Sequence, residues 1–171
     1  MSSHDDHHET SLFRTKAFRQ GISFGVVSSA MTVLGISLGM WSSAGKLRAI
    51  VASIIGLSIS NSLADAFSMY MSDTATGESK NALISAAVTA SVEFVLPFVF
   101  LVPFLTMKLK HAVVLNAIVG IALVAGTGVY VAKLNKHSGL RMAKDVALYV
   151  AITLAIMGLT YIGGLVVKLL V

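Results

Sequence analysis

Two carboxylates stand inside long apolar stretches of this 171-residue chain, and they are the first candidates for chemistry. Asp65 lies in Asn61-Ser62-Leu63-Ala64-Asp65-Ala66-Phe67-Ser68-Met69-Tyr70-Met71-Ser72-Asp73, and Glu93 in Ser91-Val92-Glu93-Phe94-Val95-Leu96-Pro97. A helix turns about 100° per residue, which gathers Asn61, Asp65, Ser68 and Ser72 within about 60° of one another, with Met69 at the margin. An acid at membrane depth is costly, and it ordinarily faces a bundle interior, a partner or a water-filled path. No Lys, Arg or His occupies the middle of an apolar stretch, so Asp65 and Glu93 have no evident counter-charge. Either the two acids stay protonated and serve as hydrogen-bonding groups, or they share a cation with oxygen and thioether ligands, Met69 and Met71 being the nearby thioethers.

A second cluster sits near the amino terminus. His4-Asp5-Asp6-His7-His8-Glu9 is a run of six ionisable groups able to ligate a divalent cation. The plainer reading is a disordered polar tail over residues 1–20, because an unstructured cluster lacks fixed coordination geometry. With no Cys, thiolate metal sites, Cys nucleophiles and disulfides are excluded. A Gly-rich phosphate loop, a Ser-His-Asp order and an HExxH motif are also missing, so the expectation is a protein that is not an enzyme and holds no tight cofactor.

The elements that must position these residues follow from composition. Apolar residues make up 56% of the chain and charged residues 12%, about half the share of an ordinary soluble domain. Five stretches, 21–41, 49–72, 82–107, 112–132 and 146–167, are each long enough to cross about 30 Å of hydrocarbon. Backbone groups cannot go unpaired in lipid, so these read as helices, and the fold class is all-α: one five-helix transmembrane bundle over residues 21–171. The net charge of +5 does not point to nucleic acid, because Lys and Arg sit at segment ends, where they orient the protein and attract anionic lipid headgroups. Eight basic residues flank the segments on the amino-terminal side and five on the other, which favours a cytoplasmic amino terminus.

Small residues add packing information. Gly25, Ser28, Thr32, Gly35 and Gly39 form a stripe about 80° wide on the first span, a face suited to close helix contact, and Gly120, Gly126 and Gly128 invite the same reading on the fourth. Pro97 and Pro103 remove helix hydrogen bonds on the third span, which can bend it and open a cavity beside Glu93.

Two of these stretches also carry a family resemblance. Phe24-Gly25-Val26-Val27-Ser28-Ser29-Ala30-Met31-Thr32-Val33-Leu34-Gly35 resembles the first helix of the vacuolar iron transporter family. Ala66-Phe67-Ser68-Met69 followed by Asp73 is similar to its second helix, and Thr160-Tyr161-Ile162-Gly163 to its last. The resemblance implies a five-helix protomer, a homodimer with the ion path at the two-fold interface, and proton-coupled export of Fe2+ or Mn2+ from the cytosol across a cell or vacuole-like membrane. It implies that Met69 is a pathway methionine and Asp73 the acid that follows it. The chain departs from the family at Phe24 and Asn61, where the family has acids, and only residues 73–81 stand where many members carry an acidic helical insertion. The candidate metal ligands are therefore Asp65, Glu93, Met69, Asp73 and Asn61, with His4, Asp5, Asp6, His7, His8 and Glu9 as an accessory cluster. The alternative is a non-transporting membrane scaffold or partner subunit with the same helices.

Overall fold

The computed structural model describes residues 15–170, and the His4 to Glu9 cluster lies outside them. Five helices account for nearly all of the described chain: α1 (Lys16–Ser42), α2 (Leu47–Ala75), α3 (Ala82–Thr106), α4 (Leu109–Leu134) and α5 (Gly139–Leu170). There is no strand among the described residues. Each helix is long and apolar enough to cross a membrane, so the protein is an all-α integral membrane protein.

Four of the five helices run past the apolar stretches at one or both ends, because charged flanks continue the helix once the chain has left hydrocarbon. The clearest case is α1. Its first five residues, Lys16 to Gln20, fall in the stretch expected to be a polar tail, yet Thr15 caps the helix by accepting a hydrogen bond at Oγ1 from the Phe18 amide, 3.2 Å away. An exposed ion pair, Lys16 Nζ to Glu78 Oε1 at 2.5 Å, ties this end of α1 to the α2–α3 turn. At the α4–α5 turn His137 Nδ1 lies 2.6 Å from Asp145 Oδ2, where Lys136 and Gly139 take left-handed backbone angles.

α1 is the hub, touching all four other helices, and the antiparallel pair α2 and α3 shares the largest interface. The apolar core joins Ala30 and Val33 of α1 to Ile50 and Ile54 of α2, Phe100 and Phe104 of α3, and Val113 and Val124 of α4. α5 is the outermost helix, with only Thr153 and Gly164 buried. The sides left open display Leu, Ile, Val and Phe, as lipid-facing surfaces require.

The glycines show how closely the helices approach. A Cβ on Gly21 would lie 2.7 Å from the Ser85 carbonyl oxygen, and one on Gly25 2.9 Å from Val92 Cβ, so α1 meets α3 through the small-residue stripe. Further along, Gly35 and Gly39 face Thr160 of α5, so this part of the stripe packs within the chain. Gly120 and Gly128 are likewise packed, against Leu34 and Tyr149, whereas Gly126 faces open space.

The tightest point is Gly164, where a Cβ would meet Ser42 Oγ at 1.9 Å and the Gly39 oxygen at 2.1 Å, while at Gly163 it would meet nothing within 4 Å. Gly164→Ala must push α5 off the α1 backbone and should cost about 1–3 kcal/mol of stability. Gly163→Ala should be neutral or stabilising by up to about 1 kcal/mol through helix propensity. Thermal unfolding of both variants in detergent checks the opposite signs; equal melting temperatures would mean that the α1–α5 crossing is looser than described.

Candidate functional site

A polar seam runs between α1, α2 and α3, and the α2–α3 register builds it. Eight residues separate Asp65 from Asp73 on α2, and eight separate Ser85 from Glu93 on α3, which runs the other way. At about 1.5 Å per residue, one level of the seam therefore holds Asp73 and Ser85, and a second, about 12 Å deeper, holds Asp65 and Glu93. Met69 and Thr89 stand midway on the two helices.

At the outer level Asp73 is 5% exposed. Its carboxylate accepts hydrogen bonds from Gln20 Nε2 of α1 at 3.1 Å and from the Ser85 hydroxyl of α3. Gln20 Nε2 also lies 3.3 Å from the Met69 sulfur. Three helices are thus joined around one buried acid. Thr89 continues the seam inward, with its hydroxyl donating to the Gly21 carbonyl at 3.5 Å.

At the inner level Ser28 of α1 donates to Asp65 Oδ2 at 2.9 Å. Glu93 is 2% exposed, and neither of its carboxyl oxygens has a hydrogen-bond partner among the described residues. Ser28 and Asp65 are the polar groups within its reach, close enough for longer hydrogen-bonding contact though neither meets ordinary hydrogen-bond geometry. Glu93 lines a cavity of about 10 Å³ together with Ser29, Thr32, Ser58, Asn61 and Pro97. That volume matches one water-sized guest. Ser29 Oγ, at the same cavity, is also without a partner among the described residues. A buried carboxylate at a pocket of one-particle size, whose wall is mostly apolar (Val33, Ile36, Ile54, Leu57, Pro97) with Ser28, Ser29, Thr32 and Asn61 at its polar edge, can exchange a proton or bind a cation that those few oxygens help to hold.

The structure brings Asp65, Glu93 and Asn61 together at the inner level, and Gln20 links Met69, midway along the seam, to Asp73 at the outer one. Two expectations change. The inward face of α2 follows Asn61, Asp65, Met69 and Asp73 at four-residue spacing, whereas Ser68 and Ser72 are exposed, because α3 and α1 together cover a face rotated toward Met69. Met71 points outward as well, at 53% exposure, and is no ligand candidate for this seam. The expected cavity beside Pro97 and Glu93 is present. Among the described residues no three His, Asp or Glu side chains converge, so any cation here would rely on hydroxyl, amide or thioether donors beside the acids.

Sequence reasoning missed Gln20, Ser85 and Thr89. The signal for the last two was legible in the third span, where Ser85, Thr89 and Glu93 recur every four residues on a single helix face. Gln20 had no such periodicity, having been assigned to the tail. Comparison with protein-family models, with curated proteins and with solved structures finds no match.

Removing a partner from the outer acid should be felt in stability. Ser85→Ala deletes the hydroxyl that satisfies buried Asp73 and should cost about 1–3 kcal/mol. Ser91→Ala, at an exposed hydroxyl bonded to its own helix at the Ala87 carbonyl, should change little. Parallel thermal melts in detergent check the pair; an unshifted Ser85→Ala would mean that Asp73 does not depend on α3.

Proposed function

We propose that the protein moves a divalent metal cation, iron or manganese, along the α1–α2–α3 seam. The observation that carries this reading is Glu93: a buried carboxylate with two unpartnered oxygens at a one-particle cavity, beside a second acid and without a basic residue at that depth. The two acids together carry the charge that neutralises one dication, and the hydroxyls of Ser28 and Ser29 with the Asn61 amide replace part of its hydration shell. Protons can neutralise the same pair when no metal is bound, which links cation release to proton uptake. Asp73, with Gln20, Met69 and Ser85, forms the way station nearer the membrane surface. Asp65 and Asn61 are only half-buried, so a homodimer would close the open edge of the seam. Transport out of the cytosol, from a cytoplasmic amino terminus, follows from the resemblance and the distribution of basic residues. The competing reading, a membrane scaffold or partner subunit, draws on the lack of a three-residue His, Asp or Glu cluster among the described residues.

Glu93→Gln and Asp65→Asn separate the two. Each keeps size and hydrogen bonding while deleting charge. In proteoliposomes loaded with Fe2+ or Mn2+, flux should fall at least tenfold in either variant, while the melting temperature holds or rises, because a neutral amide costs less to bury than a carboxylate. Full flux in the double variant refutes the site, and wild-type protein that moves neither ion favours the scaffold.

A further inference from the structure

A second cavity, of about 900 Å³, lies between α1, α4 and α5, and Gln20 and Ser28 on its α1 wall are shared with the seam. Its two ends differ. Lys16, Arg19, Gln20 and Asn135 stand at the end nearest the membrane surface, and the deeper wall is apolar, including Phe24, Val27, Met31 and Val131. On α1 the lining runs from Lys16 to Met31, about 22 Å along the helix axis. One leaflet of hydrocarbon is about 15 Å deep, so the cavity reaches from headgroup level to the tail ends of a single leaflet.

Charge at the mouth selects among occupants. Arg19 makes no ion pair among the described residues, and Lys133, Lys136, Arg141 and Lys144 lie in and beside the α4–α5 turn at the same end of the bundle. Such a mouth repels a metal cation, which sets this cavity apart from the seam. A small anion would be held at the mouth but would leave the apolar wall uncovered.

We propose that this cavity is a binding site for one anionic phospholipid, its phosphate held by Arg19, with Lys16 beside it already paired to Glu78, and an acyl chain laid along Phe24, Val27, Met31 and Val131. Basic pockets between membrane helices favour anionic headgroups in this way, at about 1 kcal/mol per basic group near the surface. Ser28 lines both this cavity and the small one at Glu93, and it donates to Asp65. The acyl chain therefore covers the side of α1 behind the acid pair. The lipid site does not depend on the cation reading, since it involves neither acid.

The test is native mass spectrometry of the full-length protein taken from vesicles of equal phosphatidylglycerol and phosphatidylcholine. The wild type should retain one phosphatidylglycerol in preference to phosphatidylcholine. Arg19→Gln should reduce that preference about fivefold, the worth of one basic group, and Val131→Trp, which fills the deeper wall, should release the lipid while leaving the charge intact. Equal retention of the two lipids by the wild type, or an unchanged preference in Arg19→Gln, overturns the proposal. Lipid retained by a folded Val131→Trp protein puts it on the outer surface and overturns it too. A lipid-free dimer gives the cavity to a second copy, and several-fold more lipid on a chain lacking residues 1–14 gives it to the amino-terminal segment; either result also overturns the assignment.

Discussion

Burying Glu93 beside Asp65 with no basic side chain at that depth is the constraint around which α1, α2 and α3 are organised. A carboxylate removed from water must be protonated, hydrogen-bonded or matched by a counter-charge, and each option demands something from neighbouring helices. Asp65 takes the Ser28 hydroxyl, so α1 must approach α2 closely enough for a 2.9 Å contact. Glu93 has no hydrogen bond of ordinary geometry among the described residues, with Ser28 and Asp65 as its polar neighbours, and faces a cavity of one-particle size. α3 in turn must sit close to α1, which is why Gly21 and Gly25, rather than larger residues, face Ser85, Val88 and Val92.

The outer level solves the same problem by a different route. Asp73 is nearly as buried as Glu93, but donors from two other helices converge on it. A satisfied acid fixes the relative positions of three helices, whereas an unsatisfied one remains available to a guest. Identical spacing on α2 and α3 places these two states about 12 Å apart along the seam. The exposed Lys16–Glu78 pair adds little energy at this end, being free to exchange with water, though it sits where α1 and the α2–α3 turn are already brought together by Gln20 and Asp73.

Much of this was legible before any coordinates. Five apolar stretches mark five helices because lipid leaves the backbone no other way to satisfy itself, and intramembrane acids stand out because their transfer cost is large. The depth pairing of Asp65 with Glu93 was not legible, since it depends on the α2–α3 register, which the short turn at residues 76–81 sets. Periodicity placed Ser68 and Ser72 with Asp65, but a helix face about 100° wide can be covered by neighbours on either flank. Only the positions of α1 and α3 decide that Met69 and Asp73 turn inward instead. Gln20 was hidden for another reason: a polar residue just outside the apolar run reads as tail until the Thr15 cap shows that the helix has already begun.

α1 carries no charged side chain between Gln20 and Ser42, yet it separates two regions of opposite character. On one side stand Asp73, Asp65 and Glu93, and on the other the cavity whose mouth holds Lys16 and Arg19. Lys16 is exposed and paired with Glu78, so water screens the charge at the mouth, whereas the acids of the seam lie deeper between the helices. Ser28 is where the two regions touch, because one hydroxyl both lines the cavity and holds Asp65. The α1 backbone that carries this shared side chain is fixed at one end by Gln20 and at the other by its close contact with Gly164.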